Sequence, residues 1–228
     1  MKIHCCSFAS ESFIKTQKNQ KEYFLKAGFK NENLHLYSPE KLDSKFFEVV
    51  PSASEINKFG WYSFKPFLIL SILNKLEDGD ILFYLDVNDI PLKGIKNYIK
   101  DFFIRNENYD LLAPLTNYPN LKFISQFHKN NLAIELLISS FLNCQPEAGA
   151  IAVRNSKKTR KIISIWYEFT LVNSFSLNIY KDKNSRHDQE TLFILSRLYK
   201  SIKLESWFLY KITGNGLRKF IKFEGLRN

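Results

Sequence analysis

The sequence predicts an α/β fold: one domain whose mostly parallel central sheet is flanked by helices. Three observations carry this. The run Ile81-Leu82-Phe83-Tyr84-Leu85 is continuously apolar, as strands covered on both faces are. Helical and strand patterns alternate along the chain. The chain has 228 residues, 45% hydrophobic and 15% aromatic with 21 Phe, which suits one domain with a sizeable core.

The elements follow in order. KIHCCSF (2–8) reads as a first strand. Residues 12–27 read as a helix polar on one face, stopped by Gly28. NLHLYS (33–38) fits a second strand; residues 38–58 are polar and irregular, with a helical stretch in PEKLDSKFFE (39–48). Phe67, Leu70, Leu73 and Leu76 stand at helical spacing in a segment running from Pro66, suited to a first turn, to Gly79, suited to a C-cap. The strand 81–85 comes next. IKNYIKDFFIRN (95–106) and NLAIELLISSFL (131–142) read as helices, each followed by a strand, YDLLAPL (109–115) and GAIAVRN (149–155). Helices at 157–170 and 188–201 and a strand at 203–210 complete the pattern. No internal repeat or linker divides residues 1–228, so a single domain is expected.

Bulk properties narrow the function. The net charge of +10 points to an anionic partner or to an ordinary Lys-rich surface. Cys5, Cys6 and Cys144 show neither zinc-site nor secreted-disulfide spacing, so buried thiols in a reducing compartment are expected. MKIHCCSFASES lacks the apolar stretch of a signal peptide, and no apolar run approaches the ~18–20 residues of a membrane helix. These readings predict a cytoplasmic protein, with contact at the inner membrane face if the basic end binds lipid.

The chemistry gathers where the buried strand ends. In open α/β sheets ligands bind beyond the carboxyl ends of strands, and there stand Asp86, Asn88 and Asp89, with Pro91 after them. Strand alternation puts Tyr84 and Asp86 on one face. Hard divalent cations take such oxygens, and a diphosphate supplies further ligands. The same residue types also make ordinary turns, and this stretch alone does not choose between the two.

The segment GWYSFKPFLILSILNKLEDGDILFYLDVND (60–89) resembles the donor-site segment of bacterial GT-A-type glycosyltransferases, in which an aromatic-Lys-Pro helix precedes a GDILxYLD strand. QPEAGAIAVRNS (145–156) resembles their Ala-Gly strand beside the donor sugar, and RHDQETL (186–192) their His-Asp-Gln helix start. Order and spacing agree across most of residues 60–200. The resemblance implies a GT-A-like, Rossmann-like domain that moves a sugar from a nucleotide-diphosphate sugar to a glycan or glycolipid acceptor. Retention of anomeric configuration is implied by the Asp-Gln motif.

It also assigns residues. Asp86, with Asn88 or Asp89, would hold Mn²⁺ or Mg²⁺; Asn88 stands where a strict Asp-x-Asp has its second carboxylate, which puts metal dependence in question. Asp188 and Gln189 are the catalytic candidates. Phe8, Trp61, Lys65, Tyr84, Asp86, Ala148, Gly149 and His187 are the donor-binding candidates. Ordinary readings compete: Asp188 as a helix N-cap, Trp61 and Tyr62 as aromatic core, Lys65 and Arg154 as surface cations rather than phosphate contacts, Glu147 as a residue merely preceding a strand.

From Lys211 onward, five cations face Glu224 alone. This end suits a fold over the diphosphate, contact with anionic lipid beside Phe220 and Phe223, or a solvated terminus. Two rival functions stand: a non-catalytic basic nucleic-acid-binding module, for which no recognised motif is present, and a transferase-like fold without activity. No nucleic-acid partner is expected under the main reading.

Overall fold

A computed structural model of the chain describes residues 1–50, 53, 58–119, 144–180, 187–205 and 217–222. The helix expected over 131–142, the end of the strand expected at 203–210 and most of the basic C-terminus lie outside these residues.

The main sheet holds β1 (Ile3–Phe8), β2 (Leu34–Tyr37), β3 (Ile81–Leu85), β5 (Leu111–Pro119), β6 (Cys144–Pro146), β7 (Ala150–Arg154) and β8 (Ile202–Glu205). Its path is β2-β1-β3-β7-β5-β6, with β8 on β5. β1, β2, β3, β5 and β8 run one way; β7 and β6 run the other, because β3–β7, β5–β7 and β5–β6 are antiparallel. The mostly parallel sheet is thus present. GAIAVRN, whose apolar run reads equally well in either direction, is an antiparallel member.

Each residue of β3 is buried, and alternation sorts them. Leu82 and Tyr84 join a core with Cys6, Phe8, Ile151 and Val153, while Ile81, Phe83 and Leu85 join one with Ile3, Cys5, Ala150 and Ala152. Helices close both faces. α2 (Ser44–Val49), α3 (Phe64–Leu73), α5 (Lys157–Tyr180) and α6 (His187–Leu198) cover the first core. α1 (Ile14–Lys26) and α4 (Ile95–Arg105) cover the second. Full burial of one such apolar side chain contributes about 1.5–3 kcal/mol, so a charge introduced at Phe83 would break the strand's packing.

Helix ends follow local chemistry. Gly28 has φ +91° just past α1; its N–H donates to Leu25 O at 3.0 Å and Phe29 N–H to Phe24 O at 3.1 Å. This paired closure needs a left-handed residue, which glycine adopts without strain. Gly79 is not the expected cap: α3 stops at Leu73, and Gly79 lies in the turn before β3, its N–H on Asn155 O at 2.8 Å. α5 runs to Tyr180, beyond the expected end at 170.

Two short strands were not foreseen. β4 (Ile90–Pro91), just after the Asp86–Asp89 stretch, pairs antiparallel with β9 (Ile221–Lys222). Pro91 sits opposite Ile221 in this two-residue ladder. Phe220 packs on Tyr98 with ring centroids 5.0 Å apart, and its carbonyl accepts from Leu92 N–H at 2.7 Å. Glu205 holds this segment from the other side, accepting from Tyr98 Oη and, at 2.6 Å, from Leu217 N–H. The segment Leu217–Lys222 is thereby tied beside the carboxyl end of β3.

Candidate functional site

The site is built around one buried ammonium. Lys65 lies in the first turn of α3 and Asp188 in the first turn of α6. Lys65 Nζ donates to Asp188 Oδ2 at 2.6 Å and to Ala148 O at 3.3 Å, and lies 3.3 Å from Asp86 Oδ1. An ammonium has three protons, and three acceptors surround it. The rings of Tyr62 and Tyr84 flank it, 5.2 and 5.6 Å from centroid to Nζ, which adds cation–π attraction. Burial lowers the Lys65 pKa, but Asp188 and Asp86 raise it more; the net shift is upward and the group stays charged.

Exposure divides the two carboxylates. The Asp86 side chain is 40% exposed, while those of Asp188 and Lys65 are 4% and 3% exposed. Asp86 is thus the member open to solvent. Its carboxylate is oriented by Tyr84, whose Oη donates to Oδ1 at 2.7 Å. Burial and the neighbouring Asp86 push the Tyr84 phenol well above its usual range, so it remains a donor. Asp86 N–H bonds Gly149 O at 2.7 Å. A Cβ on Gly149 would sit 2.8 Å from Asp86 Oδ2 and 3.2 Å from Glu147 Oε1. A side chain at this turn position would therefore displace the Asp86 carboxylate.

Asp188 does not act as a simple cap. Its Oδ1 accepts from the adjacent Gln189 N–H at 3.0 Å, its Oδ2 is committed to Lys65, and its carbonyl accepts from Trp166 Nε1 at 3.1 Å. Gln189 Nε2 donates to Glu147 Oε1 at 3.2 Å. Glu147 is therefore joined to the cluster rather than merely preceding β7. Lys65, Asp86 and Asp188 together carry one formal negative charge. Lys65 and Asp188, each in the first turn of its helix, meet side chain to side chain, and helix N-termini carry partial positive charge suited to phosphate.

The other candidates fall in different places. Ala148 contributes its carbonyl to Lys65. Phe8 is buried against Phe59 and Phe64, with centroids 5.1 and 4.3 Å away, so it is core under the site rather than an open wall. Trp61 and His187 lie on described backbone, in the turn Lys58–Trp61 and at the start of α6, with side chains outside the described set. Lys65 is a buried charge, not a surface cation. Arg154 is excluded from phosphate contact: it pairs in register with Ile81, at the far end of β3, and donates to Tyr109 O at 2.6 Å.

The turn before α3 is strained. Phe59 and Tyr62 have φ of +51° and +73°, a region bulky residues rarely enter. Phe59 is held there by packing on Phe8 and Phe64, and Tyr62 by its place over the ammonium. Strain of this kind costs about 1–3 kcal/mol per residue and collects at functional sites.

The metal candidates form a tight turn. Asp89 N–H donates to Asp86 O at 2.9 Å. Asp86 and Asn88 are half-buried, with the Asp86 side chain 40% exposed, and Asp89 is buried. Among the described residues, no group of three or more His, Cys, Asp or Glu is arranged to hold an ion. What the protein offers is one open carboxylate with an amide nearby, a donor set that fits a cation shared with a diphosphate and not a self-sufficient cage.

Sequence reasoning missed Gln20, buried on α1. Its Nε2 donates to Asp86 O at 2.7 Å and to Asp89 O at 2.9 Å. Gln17, one turn earlier, bonds Tyr37 O at 2.9 Å. The signal was Gln17, Gln20 and Phe24 at helical spacing on one face. For Lys65 the signal was a cation in the first turn of an otherwise apolar helix, where the macrodipole disfavours it.

No protein-family model and no curated protein matches this sequence. Solved structures do match. One is a glycosyltransferase involved in glycosylation of the major capsid of PBCV-1: 12% identical, TM-score 0.56, covering 100% of this chain and 96% of that one. Another is mouse xyloside xylosyltransferase 1 in its apo form: 10% identical, TM-score 0.57, covering 99% and 98%. At such identities the likeness is one of fold. The chain has the GT-A, Rossmann-like fold that these transferases share.

Proposed function

We propose that this chain is a glycosyltransferase that moves a sugar from a nucleotide-diphosphate sugar to a glycan or glycolipid acceptor. The observation that carries the reading is the Lys65 ammonium fixed between Asp86 and Asp188 at the carboxyl end of β3. In a GT-A fold this is where a ligand enters. Two other proteins of the same fold are sugar transferases.

The chemistry follows from the geometry. Transfer breaks the bond between the anomeric carbon and a diphosphate oxygen, and negative charge grows on the leaving group. The N-termini of α3 and α6, with the buried ammonium behind them, stabilise that charge. Asp86, pinned by Tyr84, accepts from hydroxyl groups of the donor. Asp188 and Gln189 are assigned to the sugar side, Asp188 acting through the ammonium it fixes and Gln189 through its link to Glu147. A divalent cation held by Asp86 with Asn88 or Asp89 would neutralise diphosphate charge. Retention belongs to the same proposal and rests on the His187-Asp188-Gln189 motif.

Residues 1–228 are proposed to act as one domain. No helix among the described residues is long and apolar enough to cross a membrane. Cys5 and Cys6 are free and buried, and burial raises their thiol pKa values, which suits the reducing cytoplasm. Contact of the basic end with the inner membrane face is part of the proposal and rests on its cations.

A thermal-shift panel tests the reading. Nucleoside diphosphates, their sugar conjugates and short oligonucleotides are compared with and without Mn²⁺. Stabilisation by one nucleotide class and none by oligonucleotides supports the transferase. The reverse pattern would favour the basic nucleic-acid module.

A further inference from the structure

We infer that Gln20 is a positioning residue of the donor site, holding the Asp86–Asp89 turn in its binding shape from the opposite side of the sheet. The inference rests on the transferase reading for what the turn binds. The geometry stands by itself. One amide nitrogen bridges two backbone carbonyls of one four-residue turn, at 2.7 Å to Asp86 O and 2.9 Å to Asp89 O. The same turn is closed internally by Asp89 N–H on Asp86 O at 2.9 Å. Both lone pairs of the Asp86 carbonyl are therefore used, and the backbone from which the Asp86 and Asn88 side chains leave is fixed at both ends.

The need arises from where the turn sits. β3 ends at Leu85, so the backbone of the Asp86–Asp89 turn has left the ladder of β3, and its shape is set by bonds from outside that strand as well as within the turn. α1 supplies the donor. Gln20 is buried between Gln17 and Phe24 on the face of α1 that meets the sheet. Its orientation is not ambiguous, because a flipped amide would set its oxygen against two carbonyl oxygens. Its Oε1 has no hydrogen-bond partner among the described residues. An apolar side chain of equal length would avoid that penalty. Glutamine is thus explained by what its nitrogen holds rather than by packing.

A matched control exists at the other end of the sheet. Asn155, also buried, donates Nδ2 to Leu76 O at 2.9 Å and to Glu77 O at 3.1 Å, in the turn before β3. The two amide nitrogens make the same bridge, one at the site and one remote from it, and Asn155 Oδ1 in addition accepts from Arg160 Nη1 at 2.8 Å.

The test measures affinity for UDP, GDP and dTDP with Mn²⁺, alongside melting temperature, for wild type, Gln20→Met, Gln20→Glu, Asn155→Leu and Asp86→Asn. Gln20→Met is expected to weaken the tightest-binding nucleotide about tenfold, whatever its melting temperature. Asn155→Leu is expected to lower the melting temperature and leave affinity unchanged. Gln20→Glu keeps shape but turns a carboxylate on the carbonyls, and it should weaken binding at least as much as Gln20→Met. If Gln20→Met does not fold, Gln20→Glu decides. Affinity within twofold of wild type for whichever of the two variants decides overturns the inference while Asp86→Asn still weakens binding. If wild type binds none of the nucleotides, the transferase reading falls and the inference with it.

Discussion

Replacing Lys65 with methionine keeps the stem and removes the charge. Two carboxylates then share a site without their counter-ion, and one of them, Asp188, has a side chain only 4% exposed. At an effective dielectric of about 20, an ion pair at the 2.6 Å separation of Lys65 and Asp188 is worth roughly 6 kcal/mol before desolvation. Desolvation offsets part of this, and breaking a buried pair from one side costs about 3–5 kcal/mol net. For a chain of this size that is a fall in melting temperature of about 6–20 °C. The sign with pH is the sharper test. Wild-type Lys65 has a raised pKa, so its stabilisation is complete below its unfolded pKa of about 10.5 and persists through neutral and acid pH. In Lys65→Met that contribution is absent, so the deficit against wild type should hold from about pH 6 to about 10 and shrink only as pH rises beyond the unfolded value of Lys65. Urea denaturation of both proteins at several pH values reads this directly. A deficit below about 1 kcal/mol at neutral pH would refute the claim that the ammonium neutralises a buried carboxylate. Adding Asp188→Leu to Lys65→Met should restore stability at neutral pH without restoring nucleotide binding.

Gly149→Ala forces a Cβ to 2.8 Å from Asp86 Oδ2; overpacking of this kind costs about 1–3 kcal/mol, and calorimetry should show nucleotide binding reduced more than the melting temperature implies. Asn88→Asp adds a carboxylate to the turn and should tighten Mn²⁺ binding in the presence of a nucleoside diphosphate; an unchanged Mn²⁺ titration would remove residue 88 from the ligand set. His4 Nδ1 lies 3.1 Å from His35 Nε2 across β1 and β2. Burial depresses both pKa values, that of His35 to about 4. Because the folded values lie below the unfolded ~6.5, stability is full above pH 6.5 and falls as pH drops toward 4. Replacing both with glutamine should flatten that acid limb of the denaturation midpoint; an unchanged limb would assign acid sensitivity elsewhere.

The parts legible in the sequence were those set by local pattern. The buried run 81–85 gave β3 and put Asp86 at its carboxyl end. Gly28 marked the end of α1, and the alternation of elements gave the fold class. The antiparallel direction of β7 was not legible, since its neighbours β3 and β5 are fixed by pairings far apart in sequence. The Lys65–Asp188 bond, across 123 positions, had no local trace beyond an oddly placed cation. Gln20 reads as one more polar residue on a polar helix until the helix is laid against the loop 66 positions later. Local chemistry proposes the carboxylates; only the tertiary fold shows which of them is open.

The central claim is that Asp86 is the open carboxylate of a nucleotide-sugar site, and calorimetric titration with the preferred nucleoside diphosphate and Mn²⁺ tests it most directly. The comparison is between wild type and Asp86→Asn, which preserves shape and keeps an acceptor for Tyr84. The account predicts saturable binding to wild type and at least a tenfold weaker constant for the variant, about 1.4 kcal/mol, with closely similar melting temperatures. Equal affinity in the two proteins would contradict it.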